Sequence, residues 1–161
     1  MEIIEFNKSY KQDVKNLLVE LQEHIVQIDS LGLNIISDDY PEKYFEKTLN
    51  ETSNNKGKIF LAKNQNKIIG MIACFVYPYN EDDKLDYACP TKGIVSELIV
   101  SSNNRQSGVG NALISHAETY LKNIGCEYVQ LELFCENICA KNFYAKHGYQ
   151  ERCVILSKKL N

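Results

Sequence analysis

Apolar residues at Val14, Leu17, Leu18, Leu21, Ile25 and Ile28 recur at intervals of three and four, which puts their side chains on one face of a helix. The pattern predicts a helix from about Ser9, a residue suited to the N-cap, to the break at Leu31-Gly32-Leu33. Ahead of it, Glu2 to Phe6 reads as a short edge strand. Asp38-Asp39-Tyr40-Pro41 is a helix-start signal, and a second helix is predicted over about Glu42 to Thr52 with Tyr44, Phe45 and Leu49 as its apolar side. After the polar loop Ser53 to Gly57 the period changes. Lys58 to Lys63 and Lys67 to Tyr77 read as strands joined by the turn Asn64-Gln65-Asn66. The second is almost uninterruptedly apolar from Ile68 to Val76, as a central strand covered on both faces is.

Pro78 to Pro90 is a long loop carrying Glu81, Asp82, Asp83 and Asp86 against a single Lys84. A third strand follows through Ile94, Val95, Leu98, Ile99 and Val100, then a small polar cluster from Ser101 to Asn104. The next helix begins at Val109, with Ala112, Leu113, Ala117, Tyr120, Leu121 and Ile124 completing its apolar stripe and Gly125 suited to its end. Tyr128 to Phe134 reads as a strand and Ile138 to Lys146 as a short helix stopped by Gly148. Tyr149 to Leu160 is expected to supply one or two final strands. The order β-α-α-β-β-β-α-β-α-β describes one α/β layer structure, and 161 residues suit a single domain over 1–161.

The strand-to-helix junction at Arg105-Gln106-Ser107-Gly108-Val109-Gly110 carries the first candidate chemistry. The first amides of a helix have no internal acceptor and sit at the positive end of its dipole. Glycines let a phosphate approach those amides, and Arg105 adds a fixed positive charge. The segment is therefore a candidate pyrophosphate cradle. It is no P-loop, because Asn111 stands where that motif needs lysine, and no dinucleotide fingerprint, because Leu113 replaces the third glycine. Arg/Gln-x-x-Gly-x-Gly/Ala behind a strand ending Glu-Leu-x-Val resembles instead the coenzyme A loop of the GNAT N-acetyltransferase superfamily. The later run Asn137-x-x-Ala140-x-x-Phe143-Tyr144-x-x-x-Gly148-Tyr149 is similar to that family's second motif, in the right order and separated by a helix and a strand. The resemblance covers about Phe60 to the C-terminus.

The resemblance implies a mixed, largely antiparallel central sheet with splayed strands and helices on both faces. It implies an acetyl-CoA-dependent acyltransferase that transfers the acetyl group directly, in a ternary complex, to a primary amine of a small molecule or a peptide. The pantetheine arm would lie along Leu98, Ile99 and Val100, and the pyrophosphate on Arg105, Gln106, Ser107, Gly108, Val109 and Gly110. Asn137 would contact the pantetheine arm, cap the following helix, or do both. Glu97 matches the position of the base that deprotonates the amine, with Glu132 in reserve; Tyr144 matches the acid that protonates the departing thiolate. Each also has a plain alternative: Glu97 as a solvated strand-edge acid, Tyr144 as a packing residue beside Phe143. His116 and His147 read as structural or surface residues.

Composition narrows the classes. A net charge of −3 without a basic face argues against nucleic acid as the partner, no apolar run reaches membrane-spanning length, and Met1 to Glu5 is no signal peptide, so a cytoplasmic protein is expected. Cys74, Cys89, Cys126, Cys135, Cys139 and Cys153 include no C-x-x-C pair, and His24, His116 and His147 are isolated, so no metal site is expected. The acidic residues Glu81, Asp82, Asp83 and Asp86, with Asp38 and Asp39 between the first two helices, favour a cationic acceptor of polyamine or aminoglycoside type. Enzymes of this kind are often dimers, which makes a homodimer an expectation. Two rivals stand beside this reading. One is a domain of the same fold that binds acyl-CoA without catalysis; the other is a nucleotide-phosphate binder of another fold.

Overall fold

Alternation of apolar side chains along the middle strands fixes the layers. The computed structural model describes residues 1–160. Five strands, β1 (Glu2–Glu5), β2 (Lys58–Asn64), β3 (Lys67–Val76), β4 (Lys92–Val100) and β5 (Tyr128–Gln130), form one sheet in the order β1-β2-β3-β4-β5. The first three pairings are antiparallel and β4–β5 is parallel. Four α-helices flank it: α1 (Lys11–Ile28), α2 (Tyr40–Asn54), α3 (Val109–Asn123) and α4 (Ile138–Lys146).

On one face, Phe60, Ala62, Ile72, Cys74 and Val95 pack against Val109, Leu113, Ile114, Ala117 and Leu121 of α3. On the other, Ile59, Leu61, Met71, Ala73 and Ile99 pack against Val14, Leu17 and Leu18 of α1 and Phe45 of α2. β3 is buried on both faces, as its continuous apolar run requires.

α1 begins slightly later than the sequence pattern suggests, and α2 earlier. A 3-10 turn over Lys8–Tyr10 precedes α1, and Asn7 rather than Ser9 caps it, accepting the Ser9 N–H at 3.0 Å. α2 starts at Tyr40, with Pro41 in its first turn.

The larger differences lie after α3. β5 stops at Gln130, where strand character was expected to reach Phe134, and residues 147–160 contain no helix or strand. The two differences share a cause. β5 pairs with β4 only through Lys92–Tyr128, Gly93–Val129 and Ile94–Gln130. Beyond that point it has no neighbour on its outer side either, and a strand without a partner has no ladder to satisfy its backbone. The expected terminal strands are absent: Val154, Ile155 and Leu156 are consecutive, exposed, and bury no face.

Candidate active site

β4 carries a bulge that decides where Glu97 points. Cys74 pairs with Val95 and Ala73 with Glu97, so Ser96 is one extra residue on β4. Strict alternation would send positions 93, 95, 97 and 99 to one face. With the bulge, Gly93 and Val95 face α3, whereas Glu97 and Ile99 face α1 and α2. A carboxylate is thereby turned into the apolar layer beneath α2, where it is only 8% exposed. Its partner there is Tyr44, whose hydroxyl donates to Glu97 Oε1 at 2.7 Å. Tyr44 stacks on Tyr40 with ring centroids 4.7 Å apart. Desolvation pushes the Glu97 carboxyl up from 4.5 to about 7; the Tyr44 hydrogen bond and the Lys47 charge oppose that shift, and Glu51 adds to it. Glu97 is thus no solvated edge acid, and its titration falls in the range a general base uses at neutral pH.

A cavity of about 360 Å³ opens where β4 and the chain after β5 part. Leu98, Ile99, Val100, Arg105, Gly110, Asn137 and Tyr144 all line it. Past Ile94 the side of β4 away from β3 has no strand beside it, so an extended ligand can add to that edge. Tyr144, on α4, is pushed up to about 12 by burial and then by the Glu97 charge. A phenol in that state is a proton donor at neutral pH.

The cradle has the form that anion binding needs. Gln106 and Gly108 both have positive φ, +61° and +83°, and they turn the chain sharply into α3. No side chain caps α3. Its ladder starts with the Ala112 N–H to the Gly108 carbonyl at 3.1 Å, which leaves the amides of Val109, Gly110 and Asn111 ahead of it. Arg105 donates from Nε to the Val100 carbonyl at 3.2 Å, tying the cradle to the end of β4. Glu20 on α1 holds the same loop, accepting the Ser102 N–H at 2.7 Å. Ser107 bonds back to Asn104, and Gln106, Ser107 and Gly108 are exposed. The Val109 side chain is in the core, so only its main chain is left for a ligand. The fit to a pyrophosphate-bearing acyl thioester rests on these free amides, the Arg105 cation and the unpartnered β4 edge.

A Cβ built on Gly110 meets Phe143 Cε2 at 3.4 Å, in van der Waals contact. The branched side chain of Gly110→Val adds two methyl groups beside that ring and the free amides of the cradle. It is expected to raise the KM for acetyl-CoA at least tenfold and the acceptor KM by less, about 1.4 kcal/mol of selective binding loss. Steady-state kinetics with each substrate varied checks this; equal loss of both in a folded protein counts against the cradle.

Asn137 does cap α4, accepting the Ala140 N–H at 3.1 Å, and also lines the cavity. Glu132 is exposed and outside this cluster. His116 packs edge-on against Phe60, and His147 lies 3.1 Å from Asn111 Oδ1. The segment between α1 and α2 is knotted by Asp29, whose carboxylate accepts the N–H groups of Leu31, Leu33 and Asn34 and is held at about 2 chiefly by hydrogen bonds from Asn34. Ser30 in that segment donates to Glu136 at 2.6 Å, bridging to the start of α4 across the cavity. A larger groove of about 730 Å³ runs along the polar face of α1 and shares His24 and Arg105 with the cavity. It lacks Tyr144 and the stretch Leu98 to Val100 that follows Glu97, both of which line the smaller cavity.

The helical pattern puts Tyr44 on the apolar face of α2 and gives no sign of its hydroxyl's partner. An α2 tyrosine one turn after Tyr40 was legible; that it meets Glu97, 53 residues away, was not. Among the described residues, no group of His, Cys, Asp and Glu is arranged to hold a metal ion, and no helix is long and apolar enough to cross a membrane.

Comparison with known proteins agrees with this geometry. The uncharacterized N-acetyltransferase MJ1530 of Methanocaldococcus jannaschii is 38% identical over 61 residues, 37% of this chain and 39% of that protein. The chain spans about two fifths of the length of the curated relatives it matches. Among solved structures, the tetramutant of protein BH1408 from Bacillus halodurans superposes with a TM-score of 0.84 at 18% identity, over 99% of this chain and all of the other. AAC(6')-Iy in complex with the bisubstrate analogue CoA-S-monomethyl-acetylneamine gives 0.68 at 20% identity, over 99% and 98%. The model of the acetyltransferase (GNAT) family matches residues 20–149, the span that contains the bulged β4, the cradle and α4, and the chain belongs to that family.

Proposed function

We propose that this protein is an acetyl-CoA-dependent N-acetyltransferase, acting as a single domain and transferring acetyl directly to a primary amine. The observation that carries the proposal is the buried Glu97 carboxylate on β4, immediately before the stretch Leu98 to Val100 that lines one cavity with Tyr144. An alkyl ammonium, with a pKa near ~10.4, has no lone pair to attack with. Glu97, directly or through water, takes its proton. The nitrogen then attacks the thioester carbonyl, whose oxygen is received by a main-chain N–H of Leu98 to Val100. The C–N bond forms, the C–S bond breaks, and the Tyr144 hydroxyl protonates the leaving sulfur. The second proton that the nitrogen sheds on becoming an amide returns to Tyr144 through water, and Glu97 releases the first to solvent.

A cationic acceptor of polyamine or aminoglycoside type suits the exposed acids Asp82 and Asp86, while Lys84 already engages Glu81 at 2.6 Å. Asp39 contributes less, because Ser37 and Lys43 already engage its carboxylate. The test is release of free thiol from acetyl-CoA across a panel of cationic, neutral and acidic primary amines. Cationic amines are expected to give the highest kcat/KM. Neutralising Glu81, Asp82, Asp83 and Asp86 together should raise the acceptor KM and flatten its salt dependence, since exposed charges are screened over about 10 Å at 0.1 M. A neutral or acidic best acceptor overturns the charge preference; binding of acetyl-CoA with no amine-dependent thiol release favours the non-catalytic alternative.

A further inference from the structure

A buried carboxylate acts well as a base when one oxygen is held and the other is left for the proton. Glu97 has that arrangement, and the group that creates it comes from α2. The Tyr44 ring is fixed by its own helix. Tyr40, one turn earlier, stacks on it with planes 16° apart, and the Lys47 ammonium, one turn later, lies 5.0 Å from its centroid. With the ring held from both directions, its hydroxyl is aimed at Glu97 Oε1, 2.7 Å away. Burial and the Glu97 charge keep the Tyr44 phenol protonated, so it donates.

We propose that Tyr44 is a positioning residue: its hydroxyl fixes Oε1 of Glu97 and leaves Oε2 as the oxygen that takes the amine proton. The inference rests on the reading of Glu97 as the base. The charged and titratable groups acting on Glu97 are Tyr44, Lys47 and Glu51 of α2, while Glu97 in turn acts on Tyr40 and on Tyr144 of α4. Among these, Tyr44 bonds directly to the carboxylate. Tyr44→Phe keeps the stack and removes that one donor, so the ionised carboxylate loses its compensation for burial.

Isotope-edited infrared titration of the carboxyl groups tests this without an acceptor. The band missing from Glu97→Gln identifies Glu97. Its midpoint is expected at about 7 in the wild type. In Tyr44→Phe it should move up by about one pH unit or more, with acetyl-CoA affinity unchanged by calorimetry. Tyr40→Phe, which retains the Tyr44 bond, should leave the midpoint in place. In the unsubstituted protein the ring Cζ resonance of Tyr44 should titrate with the same midpoint, a readout independent of how any variant folds. An unmoved midpoint in Tyr44→Phe, an equal shift in Tyr40→Phe, or a Tyr44 resonance blind to Glu97 overturns the positioning role and leaves the base assignment standing. A wild-type midpoint near 4.5 overturns the base assignment itself.

Discussion

Tyr144→Phe is expected to lower kcat by about 10²–10⁴-fold, the usual worth of a positioned general acid, while the KM for acetyl-CoA stays near the wild-type value. The reasoning starts from packing. Tyr144 is held on α4 between Phe143 and Tyr149, with ring centroids at 5.2 and 5.5 Å, so its hydroxyl direction is set by neighbours that the phenylalanine variant keeps. The only group removed is the proton donor. A phenol pushed up to about 12 stays protonated through the neutral range, and the thiolate it serves exists only as the C–S bond breaks. The loss should therefore appear in kcat. Steady-state and single-turnover rates at saturating substrates check it; an undiminished single-turnover rate reduces Tyr144 to packing.

The second large effect is on stability. Glu97→Gln should make the protein more stable at pH 8 while slowing transfer. The folded-state carboxyl titrates at about 7 against an ordinary 4.5. A raised carboxyl binds more protons folded than unfolded between those two values, so its contribution falls as pH rises through that window. The cost is absent below about pH 4.5, grows toward pH 7 and is complete above it, reaching about 3 kcal/mol by linkage. Glutamine keeps the shape without the charge. Thermal melts should show Tm raised by roughly 5–10 °C at pH 8 for a chain of this length, and little changed at pH 4.5. A gain independent of pH, or none, means that the carboxylate is not held under strain. A stabilised but impaired variant is the pattern expected where function requires an unfavourable burial.

Much of this site is legible in the sequence, but not its wiring. The helical stripe from Val14 to Leu18, the doubly covered strand through Met71 and the glycines that open α3 each carry a local signal, and each lies where that signal put it. Glu97 was singled out because an acid interrupts an apolar strand. Its direction depends on the Ser96 bulge, and nothing in Val95-Ser96-Glu97 announces an extra residue, since the bulge exists only relative to the register of β3. Tyr44 has the same history: an i, i+4 pattern puts it on the buried side of α2, whereas its hydroxyl bond spans 53 residues. The C-terminal run Val154-Ile155-Leu156 reads as a strand by composition. Strand formation also needs an edge to pair with, and three residues of β5 do not extend one that far.

In direct transfer Glu97 activates the amine and no acylated protein stands between the two substrates. Cys139 lines the same cavity, which gives the alternative a concrete form. Rapid-quench measurement of coenzyme A thiol release from acetyl-CoA, with and without the best amine of the panel, separates the two. Direct transfer predicts no stoichiometric burst without amine, no acetyl group on the protein by mass spectrometry, and amine-dependent release that Glu97→Gln slows by about 10²–10⁴-fold. A full burst of thiol in the absence of amine, with acetyl retained on the protein, or release that Glu97→Gln leaves untouched, would contradict it.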